Sequence, residues 1–184
     1  MSERACLSSE RECNEKAMEE VTIEELNEVG KDDFVDILGS IYETSPWVAE
    51  RAFPERPFAS ADELQQTMAR VVREATAEEQ LALLRAHPNL GEQTEMTDAS
   101  EAEQAAAGLD QLTPEQYETF NRLNETYEEQ FGFPFIMAVK NQTPAVIREA
   151  MERRIEHSES EEFTTALEEV HEIAELRIEE LVTG

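Results

Sequence analysis

The sequence predicts an all-α protein: one compact domain of about eight helices, residues 21–184, behind a flexible N-terminal arm over 1–20. Three observations carry that expectation. Six Gly and seven Pro in 184 residues fall well below the usual share, too few for the many tight turns of a β-protein. A helix-start signal recurs along the chain, and apolar residues between the signals return at the 3.6-residue period of an amphipathic helix.

The start signal is the capping box. A Ser or Thr side chain accepts from the amide three residues on, and a Glu or Gln there bonds back. Thr22/Glu25 opens a helix over 22–29 that Gly30 closes, and a second helix follows over 32–43. Pro46, Pro54 and Pro57 break up a loop from 45 to 59 around the single tryptophan, Trp47. Ser60/Glu63 and Thr76/Glu79 open helices over 61–75 and 77–86, and Ser100/Glu103 opens a short one over 100–107 that Gly108 ends. Thr113/Gln116, with Pro114 at the first helical position, opens 114–131. There Tyr117, Phe120, Leu123, Tyr127 and Phe131 share one side, and Gly132 stops the helix. Thr143 with Pro144 opens 144–156, and Ser158/Glu161 opens 160–182. Along this last helix Phe163, Leu167, Val170, Ala174, Ile178 and Leu181 form the apolar stripe. Such stripes are read as core.

Charge limits the partners. With 43 acidic against 15 basic residues the formal net charge is −28. That field repels phosphates and anionic membranes, so neither nucleic acid nor a membrane is expected as partner. A basic protein, or solubility in very high salt, remains. Only Lys16, Lys31 and Lys140 are lysines, and this replacement of lysine by carboxylate favours a salt-loving source. No apolar run reaches the ~18 residues of a membrane span, and the first residues lack a signal-peptide core. A soluble cytoplasmic protein is the expectation. Cys6 and Cys13 lie in the polar arm without His neighbours; they make neither a zinc site nor a disulfide framework and read as reduced thiols.

Function tends to sit where local rules fail, and four places do. Arg177 interrupts the stripe of the last helix, within about 20° of Val170 around the axis. A buried guanidinium wants an anion. Either a substrate carboxylate or a structural carboxylate would serve. Arg154 intrudes in the same way nearer a helix end, where snorkelling to the surface is expected. His87, before Pro88, ends its helix on the inward face three residues after Leu84. It is a core residue or a proton carrier near neutral pH. His157 and His171 stand in acidic, outward-facing company. Asp98, Ser100, Glu101, Glu103 and Gln104 crowd a helix start with almost no apolar face. That is one cap among six, or a set of amides and polar side chains offered to a ligand. Residues 132–139, interrupted by Pro134, form an apolar stretch between helices. It is a plain connector, or a segment whose backbone groups bind a ligand.

These segments, in this order, resemble one family. The pieces are Ser45-Pro46-Trp47-Val48-Ala49, His87-Pro88-Asn89-Leu90-Gly91 and Ser100-x-x-Glu103-Gln104, followed by Phe131-Gly132-Phe133-Pro134-Phe135, Glu152-Arg153-Arg154 and Glu169-Val170-x-x-Ile173-Ala174-x-x-Arg177. Collinear from Val21 to Val182, they are similar to 2-oxo-4-hydroxy-4-carboxy-5-ureidoimidazoline (OHCU) decarboxylases, which complete urate degradation to allantoin. The resemblance implies an all-α homodimer acting without cofactor or metal on a small carboxylated ureidoimidazoline. It implies His87 as the catalytic acid/base, with Glu103 beside it orienting the ring and raising its pKa. Pro88 would border the ligand, and Ser100 and Gln104 would bind its polar edges. Backbone groups of Phe135, Ile136, Met137, Ala138 and Val139 would hold its amides, and Arg177 a carboxylate or carbonyl oxygen. One departure is the short, acid-rich stretch between His87 and Ser100 (Glu92, Glu95, Asp98), which touches the pocket rim. Two rivals stand beside this reading: a non-catalytic acidic protein that mimics nucleic acid, and a relative with a shifted substrate.

Overall fold

Thr22, Thr76, Thr113 and Ser158 complete their capping boxes, and Ser60 accepts from the amide of Glu63, in a computed structural model that describes residues 20–91 and 96–183. The helices that follow are α1 (Ile23–Glu28), α2 (Lys31–Leu38), α3 (Trp47–Ala52), α4 (Ala61–Arg73) and α5 (Ala77–Arg85). Then come α6 (Asp98–Ala106), α7 (Pro114–Phe131), α8 (Pro144–Arg154) and α9 (Glu159–Leu181). The predicted arm and both cysteines lie outside the described residues, as do Glu92 and Glu95.

The long α9 packs on α4, α5 and α7, and α3 packs on α2 and α4. Leu26, Phe34, Leu38, Leu64, Met68, Leu84, Phe120, Tyr127, Phe135, Ile147 and Ala174 are sealed inside. Three expectations shift. The loop from 45 to 59 contains α3 and a short 3-10 turn, Phe53–Glu55, because Pro46 caps a helix rather than ending one. The second helix stops at Leu38, not 43. Gly39 and Ser40 break it, and Thr44 takes a left-handed backbone with φ of 42°. Tyr117 is exposed, one turn before the buried part of the α7 stripe.

Two further features escape periodicity. Val21–Thr22 (β1) and Val182–Thr183 (β2) pair in parallel, with Val21 beside Val182 and Thr22 beside Thr183. The sixth capping box is displaced: Thr97, not Ser100, accepts from the amide of Ser100 and starts α6 at Asp98. Ser100 therefore sits inside the helix with its hydroxyl released from capping.

Candidate functional site

His87 enters the interior because α5 ends one residue before it and Leu83 and Leu84 are buried on the same face. The ring is 9% exposed, and Nδ1 lies 2.9 Å from the carbonyl oxygen of Leu83. A carbonyl only accepts, so Nδ1 carries the hydrogen and Nε2 is the nitrogen left for a ligand. Burial lowers the His87 pKa below the usual imidazole range, against the Leu83 bond and the charge of Glu43, which raise it, and with Arg177, which lowers it. The ring is neutral at pH 7.

Across from it, α9 delivers Arg177, 5% exposed. Nε and Nη2 donate to the two oxygens of Glu103 at 2.7 and 2.9 Å, and Nη2 also donates to Ser100 Oγ at 3.1 Å. Nη1 donates to Glu43 Oε2 at 3.0 Å and to the carbonyls of Ser40 and Ile41 at 3.2 and 3.4 Å. Those carbonyls are free because α2 ended early. All five guanidinium donors are thus engaged by the protein. Of the two readings of Arg177, the structural carboxylate partner is present twice.

Glu43 is 2% exposed and accepts from Thr97 Oγ1 at 2.7 Å and Ser100 Oγ at 2.8 Å besides Arg177. Burial pushes its pKa up, but these hydrogen bonds and the guanidinium outweigh it, and the carboxyl ends below its ordinary range. Gln104 Oε1 accepts from the amide of Gly91 at 2.9 Å, which ties α6 to the turn after His87. There φ is +79° and a side chain would meet Leu112 and Phe120.

The opposite wall is the segment 132–139. Ile136 oxygen accepts from Arg154 Nη1, and Ala138 nitrogen donates to Glu169 Oε2, both at 2.8 Å. Arg154 does not snorkel. It is 3% exposed, lies 4.5 Å over the Phe135 ring, and donates through Nε to Glu162 Oε1 at 2.8 Å. Glu162, fully buried, also accepts from the Tyr127 hydroxyl and faces His157 Nδ1 at 2.8 Å. The segment is therefore strapped from behind.

His87, Pro88, Ser100, Glu103, Gln104, Phe135, Ile136, Met137, Val139 and Arg177 all line one narrow cavity, with Leu90 and Ile173. Ala138 borders a wider groove alongside, which shares Glu103, Val139, Ile173 and Arg177. One expected relationship is absent: among the described residues no hydrogen bond joins Glu103 to His87. The Leu83 carbonyl orients the ring instead, and the pKa is lowered, not raised. His171 is corrected too. It is buried, and its Nδ1 lies 3.0 Å from the Tyr42 hydroxyl.

The family described as OHCU decarboxylase matches residues 27–179. The chain belongs to that family. A 2-oxo-4-hydroxy-4-carboxy-5-ureidoimidazoline decarboxylase from Haloferax volcanii is 64% identical over 163 residues, 89% of this chain and 97% of that one. Its counterpart from Halalkalicoccus jeotgali is 60% identical over 164 residues, covering 89% and 93%. A crystal structure of (S)-allantoin synthase matches with a TM-score of 0.73 at 32% identity, over 88% of this chain and 54% of that one.

For a member of the OHCU decarboxylase family, the residue that sequence reasoning missed is Glu43. It stands in Ile41-Tyr42-Glu43-Thr44-Ser45-Pro46-Trp47, the lone charge of a stretch with Ile41 and Tyr42 before it and the polar Thr44 and Ser45 after it. That was a usable signal, hidden by reading the stretch as the end of a helix.

Proposed function

We propose that the protein decarboxylates 2-oxo-4-hydroxy-4-carboxy-5-ureidoimidazoline to (S)-allantoin, closing urate degradation. The observation that carries this reading is the convergence of His87, Ser100, Glu103, Gln104 and Arg177 on one cavity in a chain of the OHCU decarboxylase family. Breaking the bond to the carboxylate leaves an electron pair on carbon, and the conjugated C=N and C=O groups of the ring take it up. The sink lies within the substrate, so the chemistry needs no cofactor.

The protein then has a proton to place. His87 is neutral when the ligand arrives, so Nε2 gains a proton before giving one away. The substrate hydroxyl next to the departing carboxylate is a source: it becomes a carbonyl as it loses that proton, which His87 passes to the neighbouring ring carbon. A second proton, from water, neutralises the ring nitrogen that took up the electron pair of the broken bond. Delivery from one side of the cavity sets the hand of the product. Ser100, whose proton goes to Glu43, accepts from a ligand N–H. Glu103, clamped by Arg177, presents its charge at the cavity wall. The expectation that Arg177 binds a carboxylate requires Glu103 to yield a donor.

The test is circular dichroism of ureidoimidazoline generated in place from urate, in high salt. Rapid appearance of one-handed allantoin supports the reading. Racemic product at the uncatalysed rate, from folded protein, overturns it in favour of a shifted substrate or a binding role.

Three finer points accompany this proposal. A homodimer rests on the family resemblance, and light scattering tests it. Adaptation to high salt rests on the net charge of −28 and on relatives from halophilic archaea. A cytoplasmic setting is in keeping with the described helices, none of which is long and apolar enough to cross a membrane.

A further inference from the structure

We infer that Glu43 is a positioning residue of the site: its carboxylate locks Arg177 and makes Ser100 a hydrogen-bond acceptor toward the ligand. The inference rests on the decarboxylase reading and goes beyond it. A carboxylate buried to 2% is costly unless paired, and the partners here are specific. Ser100 has one hydroxyl hydrogen, and Glu43 Oε2 takes it at 2.8 Å. What remains on Ser100 Oγ is lone pairs. One faces Arg177 Nη2 at 3.1 Å. The Thr97 hydroxyl stands 3.2 Å from the other but gives its single hydrogen to the nearer Glu43 Oε1 at 2.7 Å, so the cavity that Ser100 lines meets an acceptor. A ligand N–H is recognised there, and a ligand carbonyl is rejected.

The same carboxylate joins three elements. It comes from the turn after α2, takes Arg177 from α9 at 3.0 Å and takes Thr97 at the start of α6 at 2.7 Å. Arg177 in turn holds Glu103 through two bonds. The chain of contacts runs Glu43, Arg177, Glu103, so the orientation of one cavity carboxylate depends on a second that the cavity does not expose. Around His87 the charged groups are Glu43, Glu103 and Arg177, and the Leu83 carbonyl holds its ring. Of these charges Glu43 supports the protonated ring from behind the wall.

Glu43→Gln keeps the shape and removes the charge. Its kcat/KM is expected to fall at least ~10-fold, as for the loss of a charged hydrogen-bond partner. A double-mutant cycle with Ser100→Ala identifies the route. If Glu43 acts through Ser100, the double variant loses little more than the worse single variant; fully additive losses overturn the inference. If Glu43→Gln fails to fold, Glu43→Asp keeps a negative charge beside Arg177, but the oxygen that serves both Ser100 and Arg177 draws back from each by about one C–C bond, ~1.5 Å. It is expected to lose the same ~10-fold, and full activity in Asp overturns the inference. The NMR titration of His87 reads the network without turnover. Its midpoint is expected to drop in Glu43→Gln, and an unchanged midpoint counts against Glu43. A wild-type protein that makes no one-handed allantoin while that midpoint moves would sink the decarboxylase reading and leave the Glu43 network standing.

Discussion

His87 Nδ1 donates to the Leu83 carbonyl over 2.9 Å, and this bond within a single helix turn decides which ring nitrogen does chemistry. The interaction is local, made by a residue and the one four positions before it. It needs no ligand to hold the ring. Nε2 is thereby committed to the cavity side.

His87→Ala is expected to keep the helical far-UV signal and to lower kcat by about 10²–10⁴, the usual contribution of a positioned acid/base. Leu83 and Leu84 stay buried without the imidazole, so folding survives. A fully active variant would remove His87 from the mechanism.

Arg177→Met separates the two readings of the buried guanidinium. Glu43 would keep its burial and lose its counter-charge, and the Ser40 and Ile41 carbonyls would lose their donor. Breaking such a pair costs about 3–5 kcal/mol. The urea midpoint is expected to drop by that energy divided by the slope, with the slope itself unchanged. A variant as stable as wild type with only a raised KM would restore the view of Arg177 as a free fork for the substrate.

Glu162→Gln tests the strap behind the cavity. Arg154, 3% exposed, would keep only Glu169 at 3.5 Å as a nearby carboxylate. The loss is expected near the lower end of the range for a broken buried pair, about 3 kcal/mol. Activity should fall with it, because Arg154 also holds the Ile136 carbonyl. Unchanged stability and rate would show that the segment 132–139 stands on its own packing.

The fold was legible where local chemistry decides it. Thr22, Thr76, Thr113 and Ser158 cap their helices because capping needs only neighbours in sequence. Ser100 shows the limit: the same pattern was present, but Thr97 offered an alternative cap three residues earlier, and Glu43, 57 positions away, drew the Ser100 hydroxyl. Arg177 was conspicuous because it broke a stripe. Its partners were not, since Ser40, Ile41 and Glu43 reach it only after α2 ends early. Arg154 and His171 were misplaced for a related reason. A charge near a helix end such as Arg154, or a histidine among acidic neighbours such as His171, looks exposed until a buried acceptor such as Glu162, or a donor such as Tyr42, is brought to it by tertiary packing.

His171 makes stability depend on pH. Burial, with Arg73 adding to it, lowers its pKa from 6.5 to about 4. The Tyr42 hydroxyl bond suits the neutral ring, whose Nδ1 accepts. The unfolded chain takes up a proton below about pH 6.5 that the folded protein refuses until about pH 4. Stability is therefore full above 6.5 and falls as pH drops through that window. His171→Gln keeps an acceptor for Tyr42 and cannot titrate. Its urea midpoint is expected to lie below wild type at pH 7 and to approach it by pH 4.5. A gap that stays constant with pH would assign the acid sensitivity elsewhere.

The remaining prediction concerns the whole surface. A net charge of −28 on 184 residues sets carboxylates against one another across the fold, and the few lysines leave little to neutralise them. Screening shortens their reach from about 10 Å at 0.1 M salt to about 3 Å at 1 M. Self-repulsion opposes the compact state more than the expanded one, so salt should stabilise the folded protein. Lifting a few kcal/mol of repulsion corresponds to a rise in Tm of about 10 °C for a chain of this size. Thermal unfolding in KCl from about 0.1 to 2 M checks it, with potassium salts of different anions separating screening from specific ion effects. A Tm independent of salt would mean that the carboxylates are spaced widely enough not to oppose folding, and the acidic surface would need another explanation.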